Sequence, residues 1–408
     1  MMWGRAWAVA CFVLLCVGES GAREVVRRVV VSNPSDSARP NYPVCLSLSA
    51  LAPDMWVRSA VVLCDDEEVA VQLDDLDGDG RADEVAFVAD VPAGGEKVCV
   101  LRLADDEGLL KAYPRRVRAY IKLHDEGGAH PEVRSITYPG DADLLDMYNS
   151  IYGHGAVFES ELAAFRIYMD NRQSIDLYGK TAYRLEMDST GFYTTARQLA
   201  EGYGCDVLWA GKSVGAGSFR GLRGGEPCYV DTVAWRRQTV LADGPVRTIV
   251  EVADGGWMYN GHRIEMVQRY TLYAGHRDVC VEIELRHALP GTLFCTGVQK
   301  LERENVGFAD AGGLCASWGD NVPEKGEPEH DEWVGLGLYA DSICRAAVRE
   351  DGDNYLTVLR ADERGRMRYY VAVCAGREAE GFKNAEEWFA YLRCWQSMLQ
   401  RPCEVVVE

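Results

Sequence analysis

Cys280-Val281-Glu282-Ile283-Glu284-Leu285-Arg286 places an apolar side chain at every second position and a polar one between. In an extended chain, successive side chains point to opposite faces. Val281, Ile283 and Leu285 therefore line one side, and Glu282, Glu284 and Arg286 the other. Such a stretch is a half-buried antiparallel strand. Val44, Leu46 and Leu48 alternate in the same way with Cys45, Ser47 and Ser49. Similar runs lie at 24–32, 98–103, 247–252, 263–273, 368–373 and 404–408. Asp254-Gly255-Gly256 and Asp351-Gly352-Asp353-Asn354 read as turns between strands. The expected fold is mainly all-β, of sandwich type.

One helix is expected near the end. Asn384 caps it, Glu387 completes a capping box, and Trp388, Tyr391, Leu392, Trp395 and Leu399 form one apolar stripe. Pro402 stops it before the strand at 404–408. A stripe this aromatic reads as core packing.

At the other end, Arg5, an apolar run from Ala6 to Val17 and the small residues Ser20-Gly21-Ala22 have the order of a secretory signal peptide. The run is too short for a membrane span, and none is expected later. Residues 1–22 are thus expected to be removed, leaving a periplasmic or secreted protein. Lipoprotein anchoring at Cys16 is the lesser alternative, because Leu15 is larger than the usual small residue there. A hinge in composition near 104–116 divides the rest into a small β domain, 23–110, and a large β-sandwich domain, 111–408.

The formal net charge of −20 repels nucleic acid and anionic membranes, and neither is expected as a partner. Of the 14 cysteines, Cys11 and Cys16 fall in the leader. The other twelve show no zinc spacing, and several, such as Cys99, Cys280 and Cys374, sit in apolar strands. They are expected to be mostly free and buried. No nucleophile elbow, phosphate loop, dinucleotide fingerprint or zinc-protease motif occurs.

Two constellations carry chemistry. In Asp75-Leu76-Asp77-Gly78-Asp79-Gly80-Arg81-Ala82-Asp83-Glu84, alternating carboxylates and a glycine bend suit a structural calcium ion, with Asp75, Asp77, Asp79 and Asp83 as ligands. The plainer alternative is a turn whose aspartates cap its own backbone. No organic cofactor is expected. The second is Gly153-His154-Gly155, followed by Glu159 and Glu161, Arg166, Tyr168, Tyr178 and Lys180. Two glycines leave His154 open to close approach by a ligand. On a strand, Glu159 and Glu161 project from one face, about 7 Å apart. His154, Glu159, Glu161 and Tyr178 are the catalytic candidates, and Arg166, Tyr168, Lys180, Lys212 and Lys300 the substrate-binding ones. Arg247, His262, His276 and Arg277 are further candidate walls of a basic pocket. Trp209, Trp257 and Trp318 stand in loop-like contexts where an indole stacks on a sugar.

These residues carry a resemblance. The Asp-rich loop, Gly153-His154-Gly155, Phe158-Glu159-Ser160-Glu161, Arg166-Ile167-Tyr168 and Ser174 to Lys180 look like secreted bacterial proteins grouped as domain of unknown function 4861. Asp206-Val207-Leu208, Gly211 to Gly215, Gly244 to Arg247 and Cys295 to Lys300 extend the likeness over nearly the whole mature chain. Ala156-Val157 departs from the family pattern, in which a proline or other residue often stands. The resemblance implies a polysaccharide-utilisation setting, beside enzymes that dismantle uronic-acid polymers such as pectins. It also implies a large supersandwich like that of galactose mutarotases and some lyases. It supplies no catalytic mechanism. Three functions stay open: a lyase or glycoside hydrolase acting on uronic-acid-containing oligosaccharide, a mutarotase-like epimerase, and a non-catalytic glycan-binding protein.

Overall fold

The computed structural model describes residues 22–288, 290–321 and 332–408. The expected signal peptide lies outside these residues, apart from Ala22. The chain is all-β with several antiparallel sheets and one long C-terminal helix. No helix among the described residues is long and apolar enough to cross a membrane.

Asp278–Arg286 is the central strand of a nine-stranded sheet. Its Val281, Ile283 and Leu285 are buried and its Glu282 and Arg286 exposed, as alternation requires. Full burial of each such side chain stabilises by about 1.5–3 kcal/mol. Two further sheets share the core beneath it. One has six strands, including Ile151–Ser160, Ala164–Tyr168 and Ile175–Gly179, and the other has five. Asp254-Gly255-Gly256 is not a turn. It lies inside Arg247–Tyr259, where the register with the next strand shifts between Asp254 and Trp257, so it is a bulge. The real hairpin turn is Asn260-Gly261, both at positive φ, as a two-residue connection demands.

The helix Ala385–Gln400 packs on the outer face of the nine-stranded sheet. Asn384 accepts from the Glu387 amide at 2.9 Å, and the Glu387 carboxylate accepts from the Lys383 amide and the Asn384 side-chain amide rather than from the cap's backbone N–H. A β-carbon on Gly337 would lie 2.3 Å from Leu392, so glycine there lets the helix settle close to the sheet.

The first seven strands make a small sandwich with its own core. Its larger sheet also takes in the last strand, Glu404–Val407, paired with Glu24–Ser32. Sequence position alone assigns that strand to the large region, and its pairing with Glu24–Ser32 places it in the small one. Cys64 and Cys99 face each other in register and form a disulfide, which corrects the expectation for Cys99. The other ten described cysteines are free, although Cys45 and Cys394 are exposed.

The two regions are joined by polar contacts. Arg247, buried at the start of its strand, donates to Asp74 and Glu84, both at 2.7 Å. Gln72 accepts from the Val246 and Arg247 amides and donates to the Arg247 carbonyl.

Candidate functional site

Alternation along three neighbouring strands builds one outer face of the six-stranded sheet. Phe165 and Ile167, with Ile175 and Leu177, point into the core. Arg166, Tyr168, Asp176 and Tyr178 therefore point the other way, and Arg166 sits directly across from Asp176 in the register.

His154 reaches this region from a large bulge. The register of Ile151–Ser160 against Val117–Leu123 jumps from Tyr152/Lys122 to Val157/Tyr120, which leaves residues 153–156 unmatched. Gly153 has φ 80° and His154 φ 64°, a left-handed conformation uncommon for a non-glycine residue. The glycines serve this geometry rather than ligand access, which corrects the sequence-based reason for them. A β-carbon on Gly155 would lie 1.8 Å from the Ile167 carbonyl oxygen. Gln238, fully buried on the opposing sheet, accepts from the Ala156 amide and donates to the Ile167 carbonyl, so the bulge is held from both sides.

The imidazole of His154 is half-buried and stacked flat on Tyr148, 3.7 Å between ring centres. Its Nδ1 is 3.0 Å from the Tyr148 carbonyl, which belongs to the last turn of the helix Leu144–Asn149 and lacks a helical partner. A carbonyl only accepts, so Nδ1 carries the proton and Nε2 of the neutral ring is a free acceptor. Burial holds its pKa below the ordinary histidine value; the Tyr148 hydrogen bond works the other way, and the Arg166 and Arg172 guanidinium groups add to the lowering. Tyr168 and Tyr193 stand edge-on to the ring, at 6.4 and 6.0 Å.

Beside it, Arg166 is buried and binds Asp176 through Nε (2.8 Å) and Nη2 (2.6 Å), and Asp206 through Nη2 (2.6 Å). Tyr168 donates to Asp176 at 2.8 Å. Burial works against the Arg166 charge, but the two aspartates outweigh it and raise the pKa further. The Nη1 atom is buried without a hydrogen-bond partner. The rings of Phe192 and Tyr193 lie 4.5 and 6.0 Å from the guanidinium carbon. Arg172, paired with Asp170, lies over Tyr148 and Tyr168. His154, Arg166 and Tyr168 thus come together, and the structure adds Tyr148, Arg172, Tyr193 and Asp206.

The remaining candidates lie elsewhere. Glu159 shares the outer face but is sealed: it pairs with Lys180 at 2.5 Å and accepts from the Glu186 and Met187 amides. Burial raises the Glu159 pKa and lowers that of Lys180. Lys180 spends its other protons on the Ser160 and Arg184 carbonyls. Glu161 does not share a face with Glu159. It lies beyond the strand end, paired with Arg116 and accepting from the Gly275 amide. Tyr178 is buried and donates to Glu186 at 2.9 Å. Lys212 is exposed on a turn, and Lys300 is held by the Asp351 carbonyl and Glu350. His276 bridges Asp278 and the Asn41 carbonyl, Arg277 pairs with Glu378, and His262 is exposed. These cations do not assemble the expected basic wall. Trp257 and Trp318 are buried in strands rather than loops, and only Trp209 is partly exposed.

In the Asp-rich loop, which joins Val71–Asp74 to Glu84–Val91, Asp75, Asp77 and Asp83 each offer a carboxylate oxygen within 4.8 Å of the others. Hard oxygen donors are the kind calcium takes, and the same carboxylates also cap the loop's own backbone: Asp75 accepts from the Gly78 and Gly80 amides, Asp77 from Asp79 and Asp83 from Leu76. Asp79 falls outside the group and caps the Arg81 amide at 2.8 Å.

No curated protein matches the sequence. Among solved structures the chain is similar to a protein in the glycosyl hydrolase family 38 from Enterococcus faecalis: 11% identity, TM-score 0.49, covering 94% of this chain and 47% of that one. It is also similar to an alpha-mannosidase from Enterococcus faecalis V583, with 11% identity, TM-score 0.44, and 94% and 46% covered. A third is a protein assigned as an aldose 1-epimerase from Klebsiella pneumoniae, with 8% identity, TM-score 0.30, and 70% and 96% covered. The chain spans about half the length of the first two. At the level of sequence, residues 31–405 match one family over nearly their whole extent, and the chain belongs to that family, described as Domain of unknown function (DUF4861).

Proposed function

We propose that this chain is a carbohydrate-active enzyme, exported from the cell, that uses His154 as its acid–base group on uronic-acid-containing oligosaccharide. The observation that carries the reading is the imidazole itself. It is held neutral on a left-handed bulge, with Nδ1 tied to a carbonyl and Nε2 left as a proton acceptor among phenol and guanidinium groups. A general base needs that state near neutral pH.

Acting as a lyase, Nε2 takes the proton from the carbon next to the sugar carboxylate. The electron pair forms a carbon–carbon double bond, and the bond to the linking oxygen breaks. Tyr193, whose pKa is raised to about 12 chiefly by burial, stays protonated and is the acid for that oxygen. Arg172, which is partly exposed, faces the carboxylate with the N–H group that Asp170 does not use, while the buried Arg166 contributes only its charge. Hydrolysis by Glu159 and Glu161 loses its support, because one is sealed and the other is paired away from the site.

One observation favours a second reading. Each guanidinium is already neutralised by aspartate, and Asp206 remains partly exposed. A mutarotase-like proton exchange between His154 and Asp206 needs no free cation. Incubation with pectic oligosaccharides separates the readings: a lyase raises the absorbance of a conjugated double bond, a hydrolase releases reducing ends without it, and an epimerase changes only the anomer ratio. Absence of all three, with binding retained, leaves a glycan-binding protein and overturns the enzymatic reading. In the small sandwich, Asp75, Asp77 and Asp83 would hold a structural calcium ion that staples the loop.

A further inference from the structure

We propose that Tyr152 and His130 form a second sugar subsite beside His154, so that the ligand is an oligosaccharide rather than a single sugar. This rests on the carbohydrate reading of the His154 cluster. From His154 the rings continue without a break. Tyr193 stands edge-on to His154 at 6.0 Å, Tyr152 edge-on to Tyr193 at 5.5 Å, and His130 lies nearly flat on Tyr152 at 3.8 Å and 19°. His124 follows at 5.7 Å from His130. Tyr193 and His124 are exposed and Tyr152 and His130 half-buried, so the run borders solvent throughout.

Two backbone features set this run apart from an ordinary surface cluster. His130, like His154, has a positive φ, 41°, in a residue other than glycine. Such strain persists only where the surroundings enforce it, and it concentrates at ligand sites. Across the run, a β-carbon on Gly191 would fall 2.4 Å from the Tyr152 ring, so glycine is what lets the covering segment close against it.

The two imidazoles are also complementary. The Asp125 amide donates to Nδ1 of His130 at 3.2 Å, so the proton of the neutral ring sits on Nε2. His130 therefore presents a donor where His154 presents an acceptor, with the Tyr152 and Tyr193 rings between them. Sugar hydroxyls both donate and accept, and pyranose rings present apolar faces to aromatic side chains, so a polyhydroxylated chain matches the run along its length.

The test is calorimetric titration with pectic oligosaccharides of one to four units against the full-length protein and its His130→Asn, Tyr152→Leu and His154→Asn variants. Asparagine tolerates the left-handed backbone at 130, so that variant guards against misfolding of Tyr152→Leu. Wild-type affinity should rise with chain length. His130→Asn should weaken binding of the longer ligands by about threefold to tenfold, the range for one aromatic contact, and leave the single sugar unchanged. His154→Asn should keep the length dependence. Equal wild-type affinity for every length, or an equal loss at all lengths in His130→Asn, overturns the subsite. Binding of no ligand at any length overturns the carbohydrate reading, and the subsite with it.

Discussion

His154 and Lys180 stand 26 positions apart in one motif-rich stretch, yet physical chemistry gives them opposite parts. At His154 the strained backbone makes asparagine the informative substitution, because it accepts the same φ and cannot act as the base. His154→Asn should lower kcat about 10²–10⁴-fold with little change in melting temperature, checked by steady-state rates and calorimetry. The folded pKa lies below the unfolded value of about 6.5. Base activity should therefore hold above the folded pKa and fall as pH drops through it. Stability follows the same sign: the unfolded chain takes up its proton first, so this contribution is complete above the unfolded pKa and is lost as pH falls through the folded one. The difference in melting temperature between wild type and variant, followed against pH, checks it. Lys180 is a support. Removing it strands Glu159 in a sealed site, and Lys180→Met should cost about 3–5 kcal/mol in denaturant unfolding. Were Lys180 a substrate ligand instead, activity would fall with stability intact.

Among the elements, the ones built from neighbouring residues were legible and those built by contact were not. The C-terminal helix was readable from its cap and stripe because both are local. The alternating strands were readable for the same reason. The bulge around His154 was hidden, since it depends on Gln238 and on the Ile167 carbonyl meeting it from other strands. The Asp-rich loop is intermediate. Its pattern was plain, but which aspartates converge was decided by the hairpin that closes it. If calcium binds there, chelation should lower the melting temperature, by the equivalent of about 2.7 kcal/mol when free ion stands at a hundred times its dissociation constant. Asp77→Asn should abolish the response and Asp79→Asn preserve it, since only Asp77 belongs to the converging group. Identical melting curves with chelator and with calcium would remove the ion from the account.

For the whole molecule, the small sandwich is completed by the last strand of the chain and bolted to the large region through Arg247. Its position after Gly244-Pro245 suits a wall of a substrate pocket, but its partners are Asp74 and Glu84 of the other region. Arg247→Met should leave two carboxylates facing an apolar side chain and destabilise by about 3–5 kcal/mol, read as a shifted denaturation midpoint. Turnover of the remaining folded fraction should be unchanged. A fall in turnover at unchanged stability would return Arg247 to the substrate.

The sequence by itself determined the all-β class, the capped helix, the Asp-rich turn and the interest of His154, Arg166 and Tyr168. Each follows from interactions among residues a few positions apart, where side-chain period and turn chemistry act directly. Only the tertiary structure decided that Glu159 and Lys180 are sealed beneath the segment carrying Glu186 and Met187. It alone placed Tyr148, Arg172 and Tyr193 around the imidazole. Those outcomes depend on which distant segments cover the same sheet face, and alternation along a strand records which face a side chain takes but not what lies over it.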